Sequence, residues 1–140
     1  MDWGPVKIME RKGCVIKLRD FDKEAASWDD NPRRVKLAND VSDAILLQAE
    51  VRRDMDILDF GCGTGLITFR LLPHVNSVTC VDSSSAMLDV VRSKASGKSN
   101  VRTIHLNMDE GHVMKGSFDL IVSSMTLHHI KDVPGLIKRF

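Results

Sequence analysis

Three glycines stand at alternate positions in Gly61-Cys62-Gly63-Thr64-Gly65, directly after the apolar run Ile57-Leu58-Asp59-Phe60 and directly before Leu66-Ile67-Thr68. Glycine adopts positive φ without steric cost and has no Cβ to block a close approach, so such a turn lets a ligand lie against the main chain. A helix starting there points free N–H groups at the same spot. A dinucleotide-binding turn has the spacing G-x-G-x-x-G, whose third glycine permits close packing of helix on strand. Here that third position is Leu66, and the last glycine falls one residue early. Asp59, two residues before the first glycine, puts a carboxylate at the mouth of the turn, where it would repel a pyrophosphate and attract an ammonium group. These residues favour a zwitterionic amino-acid ligand over a phosphorylated one. Cys62 marks a position inside the turn where only a small side chain fits.

A second acid follows at the distance such a site requires. Asp82 ends the apolar run Val78-Thr79-Cys80-Val81, about twenty residues beyond the first glycine, where a carboxylate can accept both hydroxyls of a ribose. The alternative role is an N-cap for the next helix, which Ser83, Ser84 or Ser85 would fill equally well.

The run Leu58-Asp59-Phe60-Gly61-Cys62-Gly63-Thr64-Gly65 resembles motif I of the class I S-adenosylmethionine-dependent methyltransferases. The resemblance extends to Ser77-Val78-Thr79-Cys80-Val81-Asp82 as the second strand with the ribose acid, and to 83–88, including Met87, as the start of the next helix. It extends further to Phe118-Asp119-Leu120-Ile121-Val122-Ser123-Ser124 as the fourth strand, with Leu127-His128-His129 in the loop beyond. About residues 20–140 are covered. The resemblance implies S-adenosyl-L-methionine as cofactor, held by Asp59, Phe60, Gly61, Cys62, Gly63, Gly65, Asp82, Ser83 and Met87. Asn107-Met108-Asp109 resembles the segment that places an acid beside the adenine amino group and an apolar side chain on its ring. Asn107 fits by distance from Val101 and Asp109 by residue type, and that register stays open. Ser123 and Ser124 would face the cofactor's amino-acid part with their main chain. Trp28 resembles an aromatic that many members carry on an N-terminal lid helix, the alternative being an ordinary core tryptophan.

The implied reaction is transfer of the sulfonium methyl group to a small-molecule acceptor by in-line displacement. The sulfonium is already an activated leaving group, so alignment and exclusion of water are the protein's main contributions. No catalytic residue is required unless the acceptor must lose a proton, and none is named. His128 and His129 are adjacent and do not share a face, so their spacing makes no joint metal site. Two other functions fit the same motifs: a cofactor-binding enzyme of this fold that does not methylate, such as an aminopropyl transferase, and a non-catalytic interaction module.

The elements that would position these residues alternate from Met55 onward. Strands are expected over 56–60, 77–81, 101–106 and 118–123, helices over about 64–72 and 84–95, and a last helix opening near Val133. This is an α/β pattern, a Rossmann-like, doubly wound parallel sheet covered on both faces. The family's strand order is 3-2-1-4-5-7-6, of which 3-2-1-4 is expected here. The chain therefore reads as a piece of a longer domain whose fourth strand is an open edge, suited to pairing with another copy in a homo-oligomer. Upstream, 22–29 reads as a short helix. A longer one runs from Pro32, capped by Asn31 or Asp30, to about Ala49, with Val35, Ala38, Val41, Ile45 and Leu46 at helical intervals. Apolar stretches at 6–9 and 14–18 around Glu10-Arg11-Lys12-Gly13 suggest a small hairpin. Residues 1–20 are thus an extension and 21–140 the cofactor-binding domain.

Composition bounds the rest. The chain has 140 residues, 43% hydrophobic and 28% charged, with net charge +1, enough for one globular core. That balance carries no electrostatic footprint for nucleic acid. No apolar run approaches the roughly 20 residues needed to cross a bilayer and no secretory pattern opens the chain, so a cytoplasmic location is expected. Cys14, Cys62 and Cys80 are odd in number and widely spaced, which argues against a disulfide framework or a structural zinc site.

Overall fold

The computed structural model describes residues 10–11, 14–15, 20–107, 116–127 and 130–138. A hairpin of β1 (Glu10–Arg11) and β2 (Cys14–Val15) comes first, then α1 (Phe21–Glu24), a 3₁₀ helix (Ala25–Asp30) and α2 (Pro32–Gln48). Four parallel strands form the main sheet: β3 (Asp56–Phe60), β4 (Ser77–Asp82), β5 (Val101–His105) and β6 (Leu120–Val122), in spatial order β5-β4-β3-β6. This is the 3-2-1-4 arrangement expected from the sequence. β3 pairs with β4 from Asp56↔Ser77 to Phe60↔Val81, and with β6 from Ile57↔Leu120 to Asp59↔Val122. Strand order reverses at β3, so the switch point lies at its carboxyl end, where open α/β sheets bind ligands.

The central strands are buried on both faces, which explains their near-continuous apolar sequence. Their side chains alternate between two layers. Ile57, Val78 and Cys80 face one layer, packed with Ala38 of α2, Ile67 and Leu71 of α3 (Leu66–Leu71), and Leu88 and Val91 of α4 (Ser85–Lys94). Leu58, Phe60 and Val81 face the other, with Leu136 of α5 (Val133–Ile137). The far end of the sheet is tied by Asp56, whose carboxylate accepts from Asn76 Nδ2 and Ser77 Oγ and whose N–H donates to Asp119.

Helix ends follow their local sequence. Asn31 Oδ1 accepts from Arg33 N at 3.0 Å and Pro32 opens α2. Ser84, rather than Asp82, caps α4, its Oγ accepting from Met87 N at 3.2 Å.

Several boundaries differ from expectation. α3 begins only at Leu66, because the positive φ of Gly63 and Gly65 interrupts a right-handed helix, and the chain tightens into a 3₁₀ turn over Leu72–His74. The expected helix at 22–29 is the four-residue α1 continued by the 3₁₀ helix. In the hairpin Arg11 pairs with Cys14, so β1 occupies half of the segment read as its turn. Only two residues then connect the strands, the commonest hairpin length. β6 is three residues long, shorter than the run at 118–123. Among the described residues it has one strand neighbour, β3, and no helix is long and apolar enough to cross a membrane.

Candidate functional site

The glycine turn joins β3 to α3 at the switch point. Gly61, Gly63 and Gly65 have φ of +74°, +56° and +82°, which L side chains rarely adopt. The N–H groups of Gly61 and Cys62 donate to Val81 O at 2.8 and 3.0 Å, fastening the turn to the end of β4, and Gly65 N donates to Cys62 O at 3.0 Å.

The glycines have different neighbours. A Cβ on Gly61 would collide with the Thr126 hydroxyl and lie 2.6 Å from Thr126 Cβ, in the loop after β6. The glycine there makes room for Thr126, whose hydroxyl donates to Gly61 O at 3.2 Å. A Cβ on Gly65 would press on Phe69 and Val91, so this glycine lets α3 and α4 close on the turn. A Cβ on Gly63 would meet nothing within 4 Å. That open stretch of main chain is where a ligand can approach.

Asp82 is 8% exposed at the carboxyl end of β4. Its Oδ2 accepts from Gly63 N at 2.8 Å and its Oδ1 from Ser84 N at 2.9 Å. Each carboxylate oxygen has a second lone pair, so the acid keeps acceptor capacity for a pair of hydroxyls. Burial raises its pKa, against the N–H groups of Ser84, Gly63 and Ser83, which stabilise the anion. The residues fit a ribose: a fixed, partly desolvated acceptor stands beside an open glycine main chain.

Asp59 does not stand at the mouth of the turn. It is 2% exposed and shares the face of β3 that carries Ile57, beneath α3, because alternate strand residues point the same way. Its Oδ2 accepts from Thr68 Oγ1 at 2.6 Å. Gly65 precedes α3 without a side-chain cap, and Asp59 supplies an acceptor to the first turn from below. Burial raises its carboxyl to about 6, the Thr68 hydroxyl opposing and the negative Asp82 adding to the rise.

The other sequence-derived candidates are distributed around this centre. Cys62 is half-buried and Cys80 buried, both free thiols. Phe60 and Met87 are buried side chains of the core, whereas Ser83 and Asn107 are exposed. His105 Nε2 lies 3.0 Å from Ser83 O, beside the Asp82 loop. Ser123 Oγ donates to Phe60 O at 2.9 Å, and Ser124 O accepts from Thr126 Oγ1 at 3.1 Å. Trp28 is half-buried, its ring covered by the Arg34 guanidinium at 3.7 Å and met by Phe21 at 5.9 Å. Met108, Asp109, His128 and His129 lie outside the described residues. No group of three His, Cys, Asp or Glu able to hold a metal ion occurs among the described residues.

Residues 57–140 match the family described as "Methyltransferase domain". The chain belongs to the class I methyltransferase family. The family's reaction is methyl transfer and its cofactor S-adenosyl-L-methionine. This methyltransferase domain is 30% identical over 122 residues to malonyl-[acyl-carrier protein] O-methyltransferase of Acetivibrio thermocellus, covering 85% of this chain and 42% of that protein. A S-adenosylmethionine-dependent methyltransferase structure from Clostridium acetobutylicum is 25% identical with a TM-score of 0.62, covering 85% of this chain and 50% of the other. Coclaurine N-methyltransferase bound to N-methylheliamine and S-adenosylhomocysteine shares the fold, with a TM-score of 0.66 at 20% identity, covering 74% of this chain and 31% of the other. The methyltransferase domain described here thus spans half or less of each of these proteins.

Sequence alone does not single out four further participants: Thr126, Thr64, Asp29 and Lys94. Thr126 meets Gly61 across 65 positions and Thr64 meets Asp29 across 35. No periodicity or local spacing signals such contacts.

Proposed function

We propose that the domain binds S-adenosyl-L-methionine across the carboxyl ends of β3 and β4 and belongs to an enzyme that methylates an organic small-molecule acceptor. The observation that carries this reading is the tether between Asp82 and Gly63, which sets a ribose-type acceptor beside the one glycine of the turn that a Cβ would leave uncrowded. The names of the Acetivibrio and Clostridium relatives support the cofactor and the chemistry.

In this reading Asp82 accepts the ribose hydroxyls, and the main chain of 60–63 with Ser123 and Ser124 borders the amino-acid part. Asn107, Met108 and Asp109 serve the adenine, with Ser83 and Met87 shaping the same wall. Bound there, the cofactor supplies an electrophilic methyl group on a sulfonium that needs no further activation. The chain's residues bind, orient and shield, which is where most of the rate advantage of such a transfer arises. Asp59 acts from beneath, by holding Thr68 and with it the start of α3. We also read the protein as cytoplasmic, consistent with free thiols at Cys62 and Cys80, and β6 as an edge able to pair with a second copy.

Equilibrium dialysis tests the reading. Labelled S-adenosylmethionine should bind saturably and be displaced by S-adenosylhomocysteine, with NAD and ATP ineffective. Displacement by NAD in preference to S-adenosylhomocysteine would overturn it.

A further inference from the structure

The glycine turn is short of local support. Three positive-φ glycines alternate with single residues, and glycine loses more freedom on ordering than any other residue. α3 is six residues long and its N-cap glycine contributes no side chain. The restraint on Thr64, between Gly63 and Gly65, comes from elsewhere in the chain.

Thr64 is 1% exposed, and both its hydroxyl and its carbonyl are taken by distant residues. Its Oγ1 donates to Asp29 Oδ1 at 2.6 Å, and its carbonyl accepts from Lys94 Nζ at 3.0 Å. Lys94 Nζ also donates to Asp29 Oδ2 at 2.5 Å, which closes a triangle between the 3₁₀ helix, the turn and the end of α4. Both charged side chains are about one-third exposed. The same N-terminal segment grips the other half of the site. Asp22 Oδ1 accepts from Ser84 Oγ at 2.6 Å and from Ala86 N at 3.3 Å, two and four residues after Asp82. Residues 20–30 therefore lie along α4 with one acid at the ribose side and one at the glycine side.

We propose that Asp29, together with Lys94, is a positioning residue of the glycine turn: by holding Thr64 it fixes the main chain at Gly63 and couples the N-terminal segment to cofactor affinity. This rests on the cofactor reading above. Both side chains act through Thr64. The Gly63 N–H is fixed to Asp82 at the end of β4 and the Thr64 carbonyl to Lys94 at the end of α4, so the peptide groups on either side of the Gly63-Thr64 pair are held by different elements. Releasing one loosens the segment between Gly63 and Gly65, while the ties of Gly61 and Cys62 to Val81 remain.

The test uses the whole chain and two readouts. In ligand-free protein, Asp29→Ala should speed amide exchange at Gly65, whose N–H bonds Cys62 O, while Leu58 in β3 stays protected. The dissociation constant for S-adenosylhomocysteine should rise roughly tenfold, less in Asp29→Asn, which keeps an acceptor for the Thr64 hydroxyl. Lys94→Met should act in the same direction, and the double variant should lose little more than the worse single one. Should Asp29→Ala not fold, Thr64→Val and Lys94→Met carry the same two measurements. Gly65 exchange and affinity both within about twofold of wild type would overturn the proposal, as would faster exchange with unchanged affinity. Wild-type protein that fails to bind S-adenosylhomocysteine, while Gly65 exchange still responds to Asp29→Ala, would instead overturn the cofactor reading and the coupling to it, leaving only a structural latch.

Discussion

Asp82 Oδ2 accepts a hydrogen bond from the main-chain N–H of Gly63 at 2.8 Å. That carboxylate orders the turn, and in the proposed reading it also presents an acceptor to the cofactor. The acid at the end of β4 and the turn at the end of β3 form a single unit, held in register by the Phe60↔Val81 pairing beneath them.

The glycines of the turn should separate fold from function. Gly61→Ala drives a Cβ into the Thr126 side chain, 2.6 Å from its Cβ, at φ +74°. Strain and overpacking together should cost about 3 kcal/mol in urea unfolding. Gly63→Ala carries strain alone, with no neighbour within 4 Å. It should cost about 1 kcal/mol while impairing ligand binding more than its effect on stability suggests. Adding Thr126→Gly to Gly61→Ala should recover part of the loss. Equal destabilisation at positions 61 and 63 would contradict this division.

Asp59 makes stability depend on pH with a defined sign. Its carboxyl titrates at about 6 in the folded chain, against an ordinary value of about 4 when unfolded. The folded state therefore holds the proton more tightly. The stability this contributes is complete below about pH 4 and is lost as pH rises through 6, by about 3 kcal/mol in all. Asp82, also raised, adds a slope of the same sign. Asp59→Asn keeps an acceptor for Thr68 and removes the titration. Its stability relative to wild type should rise between about pH 4 and pH 7 in urea melts, whereas parallel curves would show that Asp59 is not buried as described.

Cys62 should be a slow nucleophile despite its place in the glycine turn. The Cys80 thiol beside it, then burial, then the negative charge of Asp59 hold its pKa well above the ordinary range. Cys80 is itself buried, 3.2 Å from Thr68 Oγ1. Alkylation by iodoacetamide near pH 8, read by peptide mass, should proceed at least about tenfold more slowly at both positions in folded than in urea-unfolded protein. Comparable rates would show an accessible thiolate.

The sheet and the turn are legible in the sequence because both are local. Buried parallel strands carry continuous apolar runs, and the alternation of β3, α3, β4 and α4, with the acid at 82, marks the strand ends where a ligand site belongs. The cap Asn31 and the helix-opening Pro32 are equally local. Direction and partnership are not. By its distance to Gly61, Asp59 reads as a ligand group, but the period-2 pleat turns it under α3 to Thr68. Gly61 reads as open to a ligand, yet its missing Cβ accommodates Thr126 from 65 residues away. Asp22 and Asp29 read only as the ends of a short helix, and the fold brings them to Ser84 and Thr64. The adenine register of Asn107 against Asp109 stays where the sequence leaves it, since 108–110 fall outside the described residues.

Calorimetric titration with S-adenosylhomocysteine, on wild type and on Asp82→Ala, tests the cofactor site most directly. Saturable one-to-one binding by wild type, weakened at least about tenfold by loss of a charge-assisted acceptor, is the expected result. Binding of equal strength in both proteins, or none by a folded wild type, would contradict a cofactor site built on Asp82 and Gly63.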